Sequence, residues 1–216
     1  MEQTTDRSVE TARRTQAERR DESGRNLVQA AIAVVAEDGV GAATFEAIGR
    51  KAGYSRGLAT QRFGSKQGLI EAVIAHLHER QEVLMSDNGI DALPGFKAVL
   101  AYVDLFVRGL GHEQEARAYF MLLSSAVADL STLRSAFADE HGKIRRRLEA
   151  LVRRGRAEGD IRPEIDPDAA ALMIGSLLLG LSMQLMVDPT TNLEPIRETS
   201  LATLRLSFGV PGRADP

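Results

Sequence analysis

The sequence contains no cysteine and no tryptophan, and aromatic residues make up only 5% of its 216 positions. The absence of cysteine excludes a disulfide scaffold, cysteine-ligated zinc and thiol catalysis. The scarcity of aromatic residues, together with abundant alanine and leucine, favours packed helices over the cores of β-sandwiches and barrels. Because 44% of the residues are hydrophobic, the chain can bury a globular core. We therefore expect an all-α protein with one large or two small domains.

The first twenty residues also lack an apolar stretch that could serve as a signal-peptide core, so a cytoplasmic protein is expected. One later segment, from Ala169 to Val187, is free of charge and nearly as long as a membrane span. Its polar Ser176, Ser182 and Gln184 and its acidic flanks argue against insertion. A helix buried on nearly all sides, with extra partners from a second subunit, is the favoured interpretation.

The formal net charge of −3 argues against a nucleic-acid partner, but the charge is unevenly distributed. Residues 1–66 carry a small basic excess, whereas residues 67–216 are acidic. Between Thr44 and Lys66 there is a single acid, Glu46. The basic residues of that segment, which are suited to contact phosphates, are Arg50, Lys51, Arg56, Arg62 and Lys66.

Helical spacing of apolar residues organises the rest of the chain. Residues 1–20 are polar and aperiodic, which predicts a flexible N-terminal arm. Four helices are predicted from about Asp21 to Met85, and a linker rich in turn-forming residues follows at 86–95. The helices predicted beyond the linker cover about 95–110, 115–129, 133–158, 167–187 and 194–208.

A helix-turn-helix pattern lies between Thr44 and Lys66. Thr44 and Ser55 are N-cap candidates for two short helices, and Gly53 between them can turn the chain at positive φ. In the second helix, Ala59 and Phe63 are four residues apart and are expected to face the core. The opposite face is then free to enter a major groove.

The residues predicted to contact DNA fall into two groups. Side chains on the second helix can reach base edges, since arginine pairs with guanine and glutamine with adenine. Thr44 and Lys66 stand at helix starts, where a hydroxyl, an ammonium and free N–H groups can hold phosphates. The complete predicted set is Thr44, Ser55, Arg56, Gly57, Thr60, Gln61, Arg62 and Lys66.

The pattern T-x-x-x-I-x-x-x-A-G-x-S-x-G, followed by F-G-S-K-x-x-L, resembles the signature of the TetR family of transcriptional regulators. The resemblance spans about residues 21–81. It implies an N-terminal three-helix helix-turn-helix DNA-binding domain over 21–82 and a C-terminal helical ligand-binding and dimerisation domain over 90–210. In the family, tyrosines commonly occupy the positions of Thr60 and Gln61, so this chain departs there. This departure makes Gln61 a stronger candidate for contacting a base edge.

The resemblance also implies how such a protein acts. A homodimer, formed through about 133–158 and 167–187, would bind a palindromic operator and be released by an unknown small-molecule effector, without a cofactor or metal. Effector entry would shift the fourth helix, which joins the two domains. The candidate pocket residues, for which plain core packing is an equally good explanation, are Tyr102, Phe106, Tyr119, Phe120, Met121, Ser125, Met183 and Gln184.

The sequence gives less support to two other classes of function. An enzyme is disfavoured because His76 and His78 are two residues apart and point to different sides of a helix, and because His112 and His141 have no motif around them. A helical ligand-binding or scaffolding protein that has lost DNA binding is the other alternative. It is disfavoured because the predicted reading face carries no acid.

Overall fold

The computed structural model describes residues 16–110, 114–128 and 132–212. Over these ranges the chain is built from α-helices, and its only β-pairing is an isolated bridge between Ile161 and Gly209. Short 3-10 turns occupy Val40–Ala42 and Ile90–Ala92. The helices are α1 (Gln16–Asp38), α2 (Phe45–Ala52), α3 (Arg56–Phe63), α4 (Lys66–Asp87), α5 (Gly95–Gly109), α6 (Gln114–Ala128), α7 (Leu133–Glu158), α8 (Pro167–Val187) and α9 (Leu193–Phe208).

This architecture confirms the predicted all-α class, but α1 begins earlier than expected. It starts at Gln16 rather than Asp21, so residues 16–20 of the expected flexible arm are helical. Glutamine, alanine, glutamate and arginine at these positions are strong helix formers and simply extend the apolar helix behind them. The rest of the predicted arm lies outside the described residues.

The first hydrophobic cluster is built from α1 to α4 and from α6. Its fully buried side chains include Leu27 of α1, Ile48 of α2 and Ala59 of α3. Ala118 and Leu122 of α6 belong to the same cluster, because α6 packs against α1. A helix that follows the linker in sequence therefore shares a core with the helices that precede it.

The second hydrophobic cluster is centred on α5, which packs against α7, α8 and α9. Tyr102 of α5, Leu148 of α7 and Ile174 of α8 are fully buried there. The α5–α7 crossing depends on two glycines: a Cβ added to Gly95 would lie 2.1 Å from the backbone nitrogen of Gly155. Any side chain at Gly95 would force the two helices apart.

Helix α8 is the one described helix long and apolar enough, by length and composition, to cross a membrane, with a mean hydropathy of 1.9. Only 28% of that apolar window is buried within one chain, so the expected burial on nearly all sides depends on the second subunit that the expectation includes. One face packs on α5, α6 and α7, but no element among the described residues covers the other face. The large exposed side chains of that face are Leu172, Met173, Met183 and Val187.

Candidate nucleic-acid interface and ligand cavity

Local sequence signals fix the turn between α2 and α3. The Thr44 side chain accepts a hydrogen bond from the Ala47 amide at 3.1 Å and begins α2. Gly53 ends α2 with a φ of 76°, a left-handed conformation that glycine adopts without steric cost. Ser55 then begins α3 by accepting a hydrogen bond from the Leu58 amide at 3.2 Å. The two caps and the glycine together orient α3 relative to α2.

The outer surface of α3 is open. Ala59 is fully buried and Phe63 is half-buried against the first cluster, which anchors the inner face of the helix. On the outer face the hydroxyl of Thr60 donates to the Arg56 carbonyl at 3.0 Å, so it is already satisfied within the helix. The side chains and backbone exposed on this face are those of Arg56, Gly57, Thr60 and Gln61.

Arg62 does not join that face. Its guanidinium lies over α1, 3.7 Å from the Asp21 carboxylate and directly against Gly24. The reason is the helical period, because six residues of helix turn the side chain well away from the direction of Arg56. Arg62 therefore packs against α1, apart from the open face of α3, and its predicted contact with DNA stays a prediction.

Thr44 and Lys66 lie at the starts of two neighbouring helices. Lys66 is the first residue of α4, and its Nζ donates to the carbonyl of Val40 at 3.2 Å. Val40 opens the 3-10 turn that leads into Thr44. Both side chains are exposed, and the ammonium stays next to the chain that enters α2. A phosphate role for the two residues remains a prediction.

A cavity of about 420 Å³ lies among α4, α5, α6, α7 and α8. Of the candidate pocket residues, Tyr102, Phe106, Tyr119 and Phe120 line it. The others do not: Met121 packs against the first cluster near Gly39, and Ser125 is one turn further along α6. Met183 and Gln184 lie on the exposed part of α8. Sequence spacing alone could not tell which side of α6 or α8 faces the cavity.

The cavity wall also contains two histidines, His78 and His141, which the sequence offers only as weak candidates for catalysis. The Tyr119 hydroxyl of α6 lies 3.0 Å from Nε2 of His78 on α4 and 2.8 Å from Nε2 of His141 on α7. On the other side of the His78 ring, Nδ1 is 3.9 Å from a carboxylate oxygen of Glu140. The residues of this cluster are distant in sequence, so no local motif indicates it.

Burial keeps this cluster neutral. It lowers the pKa of His78 to about 4, although the nearby Glu140 carboxylate opposes the shift. Burial also lowers the pKa of His141 and raises the pKa of the Tyr119 hydroxyl. At neutral pH, His78, Tyr119 and His141 therefore form a chain of uncharged hydrogen-bonding groups beside the Glu140 carboxylate.

The cavity is tied to the helix-turn-helix through α6 as well as α4. Gln114, the first residue of α6, donates from Nε2 to Glu37 at the end of α1 at 2.9 Å. The same Glu37 carboxylate forms an ion pair with Lys51 of α2. A polar contact thus connects the start of a cavity-lining helix to both α1 and α2.

Two family models match most of the chain. Residues 27–73 match the model described as bacterial regulatory proteins of the tetR family, and residues 97–207 match the C-terminal model of BetI-type transcriptional repressors. The chain belongs to the TetR family of transcriptional regulators. Members of this family are DNA-binding regulators rather than enzymes, and α2 and α3 are the helix-turn-helix of this TetR chain.

Solved structures of TetR regulators have the same fold. SmeT, the repressor of the Stenotrophomonas maltophilia multidrug efflux pump SmeDEF, is 24% identical with a TM-score of 0.72, covering 88% of this chain and 91% of SmeT. A regulator from Saccharomonospora viridis in complex with choline is 16% identical with a TM-score of 0.77, covering 88% and 99%. A comparison with curated protein sequences gives no match.

The buried histidines of this TetR protein should make its stability depend on pH. Between a pH of about 6.5 and 4 the unfolded chain protonates His78, whereas the native chain resists this protonation, and the lowered pKa of His141 acts in the same direction. The free energy of unfolding should therefore fall with decreasing pH, by about 1.4 kcal/mol per pH unit for each proton involved. Urea unfolding at several pH values measures this slope. A double variant, His78→Gln with His141→Gln, should have a shallower slope, and an unchanged slope would contradict the assignment.

The open face of α3 should carry sequence recognition by this TetR protein. Arg56→Ala or Gln61→Ala should each weaken binding to the cognate operator by about 1–3 kcal/mol. The measurement is a fluorescence-anisotropy titration of a duplex selected from a random pool by the unmodified protein. Arg153→Ala, on the exposed side of α7, is the matched control. Full affinity in both α3 variants would show that the reading face is assigned wrongly.

Proposed function

We propose that the protein is a cytoplasmic repressor that binds a palindromic operator as a homodimer and is released when a small molecule enters its cavity. The single observation that carries this proposal is the shared position of α4 and α6. Both helices line the cavity, and both belong to the core that supports the helix-turn-helix. A ligand in the cavity thus acts on the elements that hold α3.

Ligand-bound relatives support a sensing role for the cavity. SmeT has been solved in complex with triclosan, with a TM-score of 0.75 to this chain, and the Saccharomonospora viridis regulator was solved with choline. The cavity volume of about 420 Å³ is in the range of small-molecule sites. We therefore propose a DNA-binding domain at 21–82 and a ligand-binding and dimerisation domain at 90–210, with α6 in contact with both.

The exposed apolar face of α8 supports the homodimer. Leu172, Met173 and Val187 are 56%, 47% and 81% exposed, and together they leave an apolar strip that a second copy of α8 would cover. Because α8 lies inside the match to the BetI-type C-terminal model, it is assigned to the regulator and not to a membrane. The outward side of α7 is charged, so we propose that its share of the interface over 133–158 is smaller and more polar.

In the proposed mechanism, α4 and α6 transmit the effect of ligand binding to the helix-turn-helix. A ligand between them would change their spacing, and the contact of α6 with α1 would pass that change to the helix-turn-helix. In a dimer the two α3 helices must lie about 34–36 Å apart to enter successive major grooves. Small shifts of this spacing reduce operator affinity, typically by a coupling free energy of about 1–3 kcal/mol.

A charge placed on the exposed face of α8 should separate the dimer. Met173→Glu should sediment as a monomer at micromolar concentration, where the unmodified protein should be a dimer, because two buried carboxylates would repel each other. Val83→Glu introduces the same charge at an exposed valine of α4 and should leave the dimer intact. A dimeric Met173→Glu protein, or a monomeric unmodified one, would contradict the proposed interface.

A panel of metabolites and antibiotics should contain a compound that releases the operator. Phe106→Ala removes a ring from the cavity wall, so release should then require a higher concentration of that compound. Met121→Ala changes α6 outside the cavity and is the control, with an unchanged release midpoint. If both variants respond like the unmodified protein, the compound acts elsewhere and the cavity is not the effector site.

A further inference from the structure

The chemistry of the cavity wall indicates which class of effector it accepts. We propose that the effector is an uncharged, mainly apolar molecule bearing a hydroxyl group, which donates a hydrogen bond to Nδ1 of His141. This inference rests on the proposed role of the cavity as the effector site. Three features of the wall support it: the direction of the histidine–tyrosine hydrogen bonds, the pairing of the wall charges, and a buried amide without a well-formed hydrogen bond.

The direction of the hydrogen bonds follows from Glu140. Its carboxylate lies 3.9 Å from Nδ1 of His78 and favours a proton there, so Nε2 of His78 is an acceptor. The Tyr119 hydroxyl then donates to His78, and its oxygen accepts from Nε2–H of His141. A neutral histidine protonated on Nε2 has a lone pair on Nδ1. These two hydrogen bonds form a relay from His78 through Tyr119 to His141. At its end, Nδ1 of His141 is a hydrogen-bond acceptor, and His141 lines the cavity.

The charged groups of the wall are already paired. Arg80 binds Glu115 with an N–O distance of 2.6 Å, and Arg145 binds Asp168 at 3.0 Å. The remaining wall is mostly aliphatic and aromatic, with rings such as Phe106 and Phe120. Burying an ionic ligand there would leave its charge without a partner, which is costly. The wall therefore selects against carboxylates and ammonium ions.

Gln81 offers a second polar anchor. It lies on α4 close to the Tyr102 hydroxyl, and its side chain lines the cavity. Its buried amide nitrogen interacts with the Tyr102 hydroxyl but makes no hydrogen bond of normal geometry among the described residues. Buried donors without partners are rare in folded proteins. A ligand oxygen that accepts from Gln81 would satisfy this group, and a hydroxyl or a carbonyl would serve.

Calorimetric titration of the full-length protein with four matched probes tests the proposal at mildly alkaline pH. The probes are 4-butylphenol, 4-butylanisole, 4-butylbenzoate and 4-butylbenzylammonium, which share a 4-butylphenyl group and differ in donor capacity or charge. The phenol should bind roughly tenfold more tightly than the anisole, which cannot donate. Both ions should bind more weakly than the anisole. Equal binding of phenol and anisole, tighter binding of either ion, or no binding at all would overturn the proposal.

Variants locate the hydrogen bond. His141→Phe should abolish the advantage of the phenol without changing the affinity for the anisole. Tyr119→Phe keeps the ring that packs on Phe137 but breaks the relay, so it should reduce the advantage. His76→Phe is the matched control, because His76 bonds to Gln29 and lies outside the cavity wall. A phenol preference that persists in His141→Phe would overturn the assignment of the acceptor.

A parallel operator titration distinguishes failure of the neutral-effector inference from failure of the proposed ligand response. If the protein binds its operator and a charged compound releases it, the neutral-effector inference fails while the regulatory function stands. If no compound of any class affects operator binding, the proposed ligand response itself fails.

Discussion

The packing of α6 against α1 is the contact on which the rest of the structure depends. Without it, the helix-turn-helix would be joined to the remainder of the chain by α4 alone. With it, Ala118 and Leu122 of α6 belong to the same core as Leu27 and Ile48. Because close-packed interiors transmit displacements instead of absorbing them, a change in the position of α6 is felt by α1. Through this shared core, the wall of the cavity is in direct contact with the helices that support α3.

Much of the helix-turn-helix could be predicted from sequence because its determinants are local. Thr44, Gly53 and Ser55 act on amides or dihedral angles within a few residues, and such effects are the same in any context. Sequence alone groups Arg62 with the exposed face of α3, because it does not show that α1 passes beside it. The neighbouring Asp21 and Gly24 belong to another helix, so only the folded chain reveals that contact.

The cavity and the surface of α8 were less accessible to sequence analysis. His78 and His141 bind the same tyrosine hydroxyl across 41 and 22 residues of sequence, and isolated histidines carry no spacing signal. The uniform hydrophobicity of α8 indicated burial but not which element would cover each face. In the structure one face packs on α5, α6 and α7, and the proposed partner copy would cover the rest.

Filling the cavity with a side chain tests the central claim without knowledge of the effector. Ala116 lies on α6 in the cavity wall, whereas Val127 on the same helix is 57% exposed. A tryptophan at Ala116 should separate α6 from its neighbours as a ligand would, and should lower operator affinity roughly tenfold. A tryptophan at Val127 should leave the affinity unchanged. If a folded Ala116→Trp protein binds operator as tightly as the unmodified protein, the cavity and the reading face are not coupled through α6.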